Sequence, residues 1–99
     1  MNQIPKIAVV GAGEWGINLI RNFYSLGALA RVCDSDKRAQ DNVRKLYPAI
    51  PCSQDIADVL TDPELKGLVI ATNSETHFDL AKRALLSGKD VLVEKPMAL

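Results

Sequence analysis

The sequence predicts a three-layer α/β fold, in which a parallel sheet is covered by helices on both faces. Short apolar segments alternate with amphipathic segments along all 99 residues, which is the order expected for repeated strand–helix units. The apolar segments show no regular polar alternation, and this is typical of strands that are buried on both faces. The length suits one domain, so we expect residues 1–99 to form a single unit with right-handed crossovers.

The first half of the chain predicts two strands, each followed by a helix. Residues 6–10 are apolar and β-branched and end at a glycine, as a buried strand does. Residues 14–26 carry apolar side chains at helical spacing, and the glycine that follows them is suited to end a helix. Residues 28–33 predict the second strand. Residues 36–46 predict a polar helix with one apolar stripe.

A weak third strand and a short helix are predicted in the middle of the chain. Two prolines break the sequence here, and residues 50–52 have room for only a very short strand. Ser53 is expected to cap the next helix, because its hydroxyl can accept a bond from a free backbone N–H. The apolar side chains of that helix are Ile56, Val59 and Leu60.

The last part of the chain repeats the pattern twice more. Residues 66–71 predict a fourth buried strand. Thr72 and Glu75 have the spacing of a capping box, so a helix is expected to begin here. Gly88 is suited to end that helix, and residues 91–93 predict the fifth strand.

Composition excludes several classes of partner. Twelve basic and twelve acidic residues balance, so there is no general attraction to nucleic acid or to an anionic membrane. No apolar segment approaches the ~20 residues that span a bilayer, and the N-terminus lacks the layout of a signal peptide. Cys33 and Cys52 form no C-x-x-C pair and have no histidine cluster nearby. We therefore expect reduced thiols, no metal site and a cytoplasmic location.

A glycine-rich turn follows the first predicted strand. Gly11, Gly13 and Gly16 form a G-x-G-x-x-G pattern at the beginning of the first helix. In this pattern the first glycine permits a tight turn, the second lets a pyrophosphate approach the backbone, and the third lets helix and strand pack closely. The amides and the dipole of the helix N-terminus favour phosphate. The turn therefore predicts a dinucleotide site of the Rossmann type.

An acidic residue stands at the end of the second predicted strand. Asp34 follows the turn at roughly the 20-residue distance that the dinucleotide pattern requires. Its carboxylate can accept hydrogen bonds from both hydroxyls of the adenosine ribose and would repel a 2′-phosphate. We therefore expect NAD to be preferred over NADP. Arg38, or Arg31, would offset that repulsion and let NADP bind as well.

Two further loops carry a family resemblance. Glu94-Lys95-Pro96 follows the last predicted strand, and an Ala71-Thr72 turn precedes His77. Together with the glycine turn and Asp34, these motifs resemble the glucose-fructose oxidoreductase, inositol dehydrogenase and rhizopine-catabolism family, Gfo/Idh/MocA. The resemblance covers the whole chain. The first helix and second strand are similar to members that act on nucleotide-linked sugars.

The resemblance implies a set of residues that contact NAD along its length, from the pyrophosphate and adenosine ribose to the nicotinamide. They are Gly11, Gly13, Glu14, Trp15, Gly16, Asp34, Arg38, Thr72, Asn73, His77, Glu94, Lys95 and Pro96. Asn73 departs from the family, which usually has proline at this position. From the residues alone, Trp15 is more typical of packing and His77 of a structural hydrogen bond.

The resemblance also implies one catalytic residue, Lys95. Its ammonium would face the reacting hydroxyl and lower the pKa of that hydroxyl for hydride loss. The implied activity is NAD-dependent oxidation of a CH–OH group in a sugar or a nucleotide-linked sugar. Glu94 would bind the nicotinamide ribose, and Pro96 would fix the backbone beside it.

The family places a second α/β domain after the Glu-Lys-Pro segment, and we expect the chain to stop just before it. That domain holds the sugar and makes the homo-oligomer, so the 99 residues are expected to bind NAD(H) without turnover. Two alternatives remain open. One is a stand-alone NAD-binding module without catalysis. The other is a different Rossmann dehydrogenase, similar to biliverdin reductase or dihydrodipicolinate reductase.

Overall fold

The three-layer fold is confirmed. A computed structural model describes residues 4–72 and 74–93, without the side chains of Glu14 and residues 74–78. The strands are β1 (Ile7–Val10), β2 (Leu29–Cys33), β3 (Cys52–Ser53), β4 (Gly67–Ile70) and β5 (Asp90–Val93). The helices are α1 (Glu14–Ser25), α2 (Lys37–Leu46), α3 (Ile56–Leu60) and α4 (Ser74–Leu86).

The five strands form one sheet in the order β3-β2-β1-β4-β5. Each of the four strand pairs is parallel. The strand order reverses between β1 and β4, where Ile7 pairs with Gly67 and Val10 with Ile70. In open parallel sheets, ligands bind outside the carboxyl ends of the strands at such a reversal. The carboxyl ends of β1, β2 and β4 are therefore the expected place for a site.

The core consists of two layers, one on each face of the sheet. On one face, Ile20 of α1 and Val43 of α2 pack against β1, β2 and β4. On the other face, Val59 of α3 and Ala84 of α4 do the same. All four residues of β4 are buried, which explains why its sequence is continuously apolar.

The predicted cap of the third helix was wrong. Ser53 belongs to β3, because its carbonyl accepts a hydrogen bond from the backbone N–H of Asp34 at 3.0 Å and extends the pairing with β2. Asp55 caps α3 instead, and its carboxylate accepts from the N–H of Ala57 at 2.9 Å. Both residue types are good caps, and the pairing with β2 decides between them.

A buried lysine links the amino end of β5 to the connection between α3 and β4. Lys89 is only 6% exposed. Its Nζ donates to the carbonyl oxygens of Asp62 at 2.6 Å and of Leu65 at 2.9 Å. These two bonds satisfy carbonyls of the connection between α3 and β4, so Lys89 stabilises that connection.

The edge strand β5 is much less covered than β4. Leu92 and Val93 are exposed, as are Leu85 and Leu86 near the end of α4. Among the residues that the structure describes, no helix is long and apolar enough to cross a bilayer.

Candidate functional site

A cleft of about 730 Å³ lies at the carboxyl ends of β1, β2 and β4. It is open to solvent on one side and has both polar and apolar walls. The residues that line it are Val10, Gly11, Cys33, Asp34, Ser35, Gln54, Asp55, Ile56, Thr72, Asp79 and Leu80. The strand reversal thus coincides with the cleft, as expected for this class of sheet.

Two glycines of the turn are required by the close packing of the protein's own backbone. Gly11 has a φ of 104°, and a Cβ there would lie 2.9 Å from the carbonyl carbon of Ala71. A Cβ on Gly16 would overlap the carbonyl oxygen of Gly11 and lie 2.7 Å from its carbon. Backbone atoms cannot rotate out of the way, so side chains at both positions would disrupt the turn.

Gly13 differs from the other two. It is the N-cap of α1, and as a glycine it has no side chain of its own to cap the helix. Its φ of −74° and ψ of −165° are open to any residue, and a Cβ there would meet no described heavy atom within 4 Å. Neither backbone conformation nor packing requires glycine at this position. The bare backbone leaves space for a ligand at a helix N-terminus, where amides and dipole favour phosphate.

Asp34 lies beside the turn and is held firmly. Its Oδ2 accepts from the backbone N–H of Ala12 at 2.7 Å, and its Oδ1 accepts from that of Asp36 at 2.8 Å. A carboxylate has about four lone-pair positions, so it can still accept bonds from ribose hydroxyls. The structure therefore brings the glycine turn and the acidic residue together, as the sequence predicted.

The two arginines considered for a 2′-phosphate do not line the cleft. The guanidinium of Arg31 donates to Ser53 Oγ at 2.7 Å and lies 3.5 Å from the carboxylate of Asp62. Arg38 is exposed in the first turn of α2, where its backbone N–H donates to the capping carboxylate of Asp36. The cleft has no basic side chain among its described lining residues.

The remaining predicted residues are divided between the described and the undescribed parts of the chain. Thr72 lines the cleft. Trp15 is partly buried in the first turn of α1, and its indole N–H has no hydrogen-bond partner among the described residues. Glu14 begins α1 and His77 lies within α4, but their side chains are not described. The residues outside the described part are Asn73, Glu94, Lys95 and Pro96.

The sequence analysis missed the wall of the cleft that follows β3. Gln54, Asp55 and Ile56 line it from the connection after β3 and the first residue of α3. Asp79 and Leu80 line it from α4. The rule that ligands bind at strand carboxyl ends would have found the first group, had it been applied to the weak third strand.

Cys33 is a structural part of the cleft wall. Burial, with a smaller contribution from the carboxylate of Asp34, raises the pKa of its thiol to about 11. The thiol therefore remains protonated at neutral pH and is not a nucleophile.

Within the described ranges, no three potential metal-binding side chains come together.

The sheet order, the glycine turn on β1 and the carboxylate at the end of β2 define a dinucleotide-binding domain of the Rossmann type. Residues 5–99 match the family model described as "Oxidoreductase family, NAD-binding Rossmann fold". The chain belongs to this family, the Gfo/Idh/MocA oxidoreductases.

Curated relatives share this region at moderate identity. The scyllo-inositol 2-dehydrogenase (NAD(+)) of Bacillus subtilis strain 168 is 34% identical over all of this chain, which spans 30% of that relative. A glycosyl hydrolase family 109 protein 2 of Shewanella sp. strain ANA-3 is 33% identical over 94% of this chain and 23% of its own length. Relatives of comparable identity thus carry different activities in their names.

A solved structure shows the same fold with a nucleotide. GenD2 from gentamicin A biosynthesis, in complex with NAD, superposes with a TM-score of 0.86 and 27% identity. The match covers all of this chain and 29% of that structure.

Proposed function

We propose that this chain is the cofactor domain of an oxidoreductase that prefers NAD and oxidises a hydroxyl of a sugar or a nucleotide-linked sugar. The observation that carries the proposal is the 2.7 Å bond between Ala12 N–H and Asp34. It fixes a carboxylate next to an open helix N-terminus. The first of these groups suits a ribose and the second a pyrophosphate.

The nucleotide would lie across the carboxyl ends of the strands. Its pyrophosphate would meet the backbone at Gly13, and its adenosine ribose would meet Asp34. The adenine would extend toward the apolar side chains of Ile56 and Leu80, which both line the cleft. The nicotinamide half would then lie toward Thr72.

The charge of the cleft supports NAD over NADP. Asp34, Asp55 and Asp79 line it, and no basic side chain stands among its described lining residues. A 2′-phosphate carries further negative charge and would come closest to Asp34. Repulsion between like charges, with no basic side chain among the described residues that line the cleft, disfavours that phosphate.

Lys95 is proposed as the catalytic residue on the strength of the Glu94-Lys95-Pro96 motif and the family. The strand that precedes this motif is β5. It is parallel to β4, so its carboxyl end lies on the same side of the sheet as the cleft. When bound, the nicotinamide supplies the acceptor for a hydride. The lysine ammonium would lower the pKa of the reacting hydroxyl and hold its oxygen in place.

We propose that a second domain, after residue 99, holds the substrate and makes the oligomer. Exposed Leu92 and Val93 on the edge strand offer apolar surface for such a contact. We also propose a cytoplasmic location. Cys33 and Cys52 pack into the clusters on opposite faces of the sheet and cannot bridge each other.

The proposal is tested by titrating the chain with NADH and NADPH. Trp15 is the only tryptophan in the sequence, so quenching of its fluorescence reports binding at the turn, and calorimetry checks the affinity. We expect NADH to bind more tightly than NADPH. Asp34→Ala should bring the two dissociation constants closer together, because NADH loses its hydrogen bonds from the ribose to the carboxylate whereas NADPH loses a repulsion.

Asp41→Ala is the matched control, since it removes an exposed carboxylate of α2 that does not line the cleft. It should leave the ratio unchanged. No heat and no quenching at millimolar NADH would refute nucleotide binding. A ratio that Asp34→Ala leaves unaltered would remove Asp34 from its proposed role.

A further inference from the structure

We propose that Gln40 is a positioning residue that sets the preference for NAD by holding Asp34 in place. This inference rests on the proposed function and deepens it. Gln40 does not line the cleft and would not touch the nucleotide. Its influence would pass through the backbone of Asp34.

Gln40 is a buried polar side chain with a partner at each end. It lies on α2 and is 6% exposed. Its Nε2 donates to the backbone carbonyl of Asp34 at 2.7 Å, and its Oε1 accepts from Arg44 at 3.3 Å. Val43, on the same helix, shows that this face of α2 accommodates apolar residues. The amide of Gln40 is therefore explained by its bond to Asp34 rather than by filling space.

The bond completes the hydrogen bonding of Asp34. The backbone N–H of Asp34 donates to Ser53, and its carboxylate accepts from Ala12 and Asp36. The carbonyl is the remaining polar group of this residue, and Gln40 satisfies it. Asp34 is thus fixed through β3, the glycine turn, the start of α2 and the buried side of α2.

A fixed carboxylate discriminates better than a mobile one. To admit a 2′-phosphate, the carboxylate of Asp34 must give up its bonds from Ala12 and Asp36, which hold residues 34–36 against the glycine turn. The bond from Gln40 holds the backbone of the same segment and so opposes its rearrangement. The same bond keeps the carboxylate where ribose hydroxyls can reach it. A group that is already ordered loses less conformational entropy on binding, so NADH should bind more tightly. Loss of the bond should therefore weaken the binding of NADH more than that of NADPH. The preference for NADH over NADPH should fall as a result.

Gln40→Met tests the proposal, since methionine has a similar size and no donor. We expect the ratio of the NADPH and NADH dissociation constants to fall about threefold to tenfold, the range that one hydrogen bond supports. Gln40→Glu keeps the acceptor for Arg44 but cannot donate when ionised, so it should act in the same direction. It provides the same test if Gln40→Met is too unstable to measure.

Two matched controls separate positioning from general stability. Val43→Ala loosens the same helix by removing buried methyl groups, and it should lower the melting temperature without changing the ratio. Arg44→Met removes the donor to Gln40 Oε1 together with the exposed ion pair to Asp41, but it keeps the bond from Gln40 to Asp34, so it should also leave the ratio unchanged. In an Asp34→Ala background, Gln40→Met should have no further effect on selectivity, because the group it positions is gone.

The outcomes distinguish the two levels of the proposal. A wild-type chain that binds neither nucleotide refutes the proposed function, and this inference with it. A wild-type chain that prefers NADH, with the same ratio in folded Gln40→Met or Gln40→Glu, refutes the role of Gln40 alone. An equal fall in Val43→Ala would assign the effect to helix stability and would likewise overturn it.

Discussion

Exchanging single glycines of the turn for alanine should separate folding from binding. Gly16→Ala places a Cβ on the carbonyl group of Gly11, 2.7 Å from its carbon. Overpacking against atoms that cannot rotate away costs about 3 kcal/mol. For a domain of this size, that loss lowers the melting temperature by roughly 12–24 °C. Gly13→Ala places its Cβ in open space at an ordinary φ. Its effect on stability should stay within about 1 kcal/mol.

Binding should respond in a different order. The Cβ of Gly13→Ala would occupy the space through which a pyrophosphate reaches the helix amides, so we expect NADH affinity to fall at least about tenfold, or 1.4 kcal/mol. Thermal unfolding followed by circular dichroism measures the first effect, and quenching of Trp15 fluorescence measures the second. Gly13→Ala that melts like wild type and binds NADH like wild type would refute the assignment of this position to a phosphate. Gly16→Ala with an unchanged melting temperature would refute the close approach of α1 to Gly11.

Two further predictions concern stability. Lys89→Met should lower the free energy of unfolding by about 2–4 kcal/mol, because a buried and a partly buried carbonyl lose a charged donor; denaturant titration measures this. Cys33 should make the protein less stable as the pH rises from 9 to 11. Its thiol ionises near 9.0 in the unfolded chain but near 11 in the folded one, so the folded state binds more protons in this window. The loss should reach up to about 3 kcal/mol, measured as melting temperature against pH in wild type and in Cys33→Ala.

Each of these has a matched control. Lys66→Met removes an exposed ammonium just before β4 and should change stability by less than about 0.5 kcal/mol. An equal loss in both lysine variants would contradict the role of Lys89. Cys52→Ala should keep most of the alkaline instability, since Cys52 is less buried than Cys33. If Cys33→Ala has the same alkaline profile as wild type, the instability has another source.

The sequence predicted the layers and the glycine turn because those features depend on local pattern. Continuous apolar strands mark burial on both faces, and β4 is buried at all four positions. The cap of α3 was not predictable in this way, because Ser53 and Asp55 are both good capping residues two positions apart. The bond from the N–H of Asp34 to the carbonyl of Ser53 decides the matter, and that bond joins distant parts of the chain.

The site was predicted in part for the same reason. Gly11, Asp34 and Thr72, which three separate motifs supplied, line one cleft. Gln40 looked like one more polar residue on a polar helix, and only the packing of α2 shows that it is buried. Arg31 was considered a partner for a 2′-phosphate, but the structure engages its guanidinium with Ser53 and Asp62. The roles of the residues outside the described part remain predictions from their motifs.

The two ends of the cleft are anchored very unequally. The glycine turn extends from β1, which has paired neighbours on both sides. The segment that supplies Gln54 and Ile56 extends from β3, an edge strand of two residues. Substitutions near the phosphates would therefore be transmitted to the centre of the sheet, whereas substitutions under the base would disturb only its margin. Among relatives, substitutions that change the preference for the adenine end of the nucleotide should accumulate at that margin, where the fold tolerates them best.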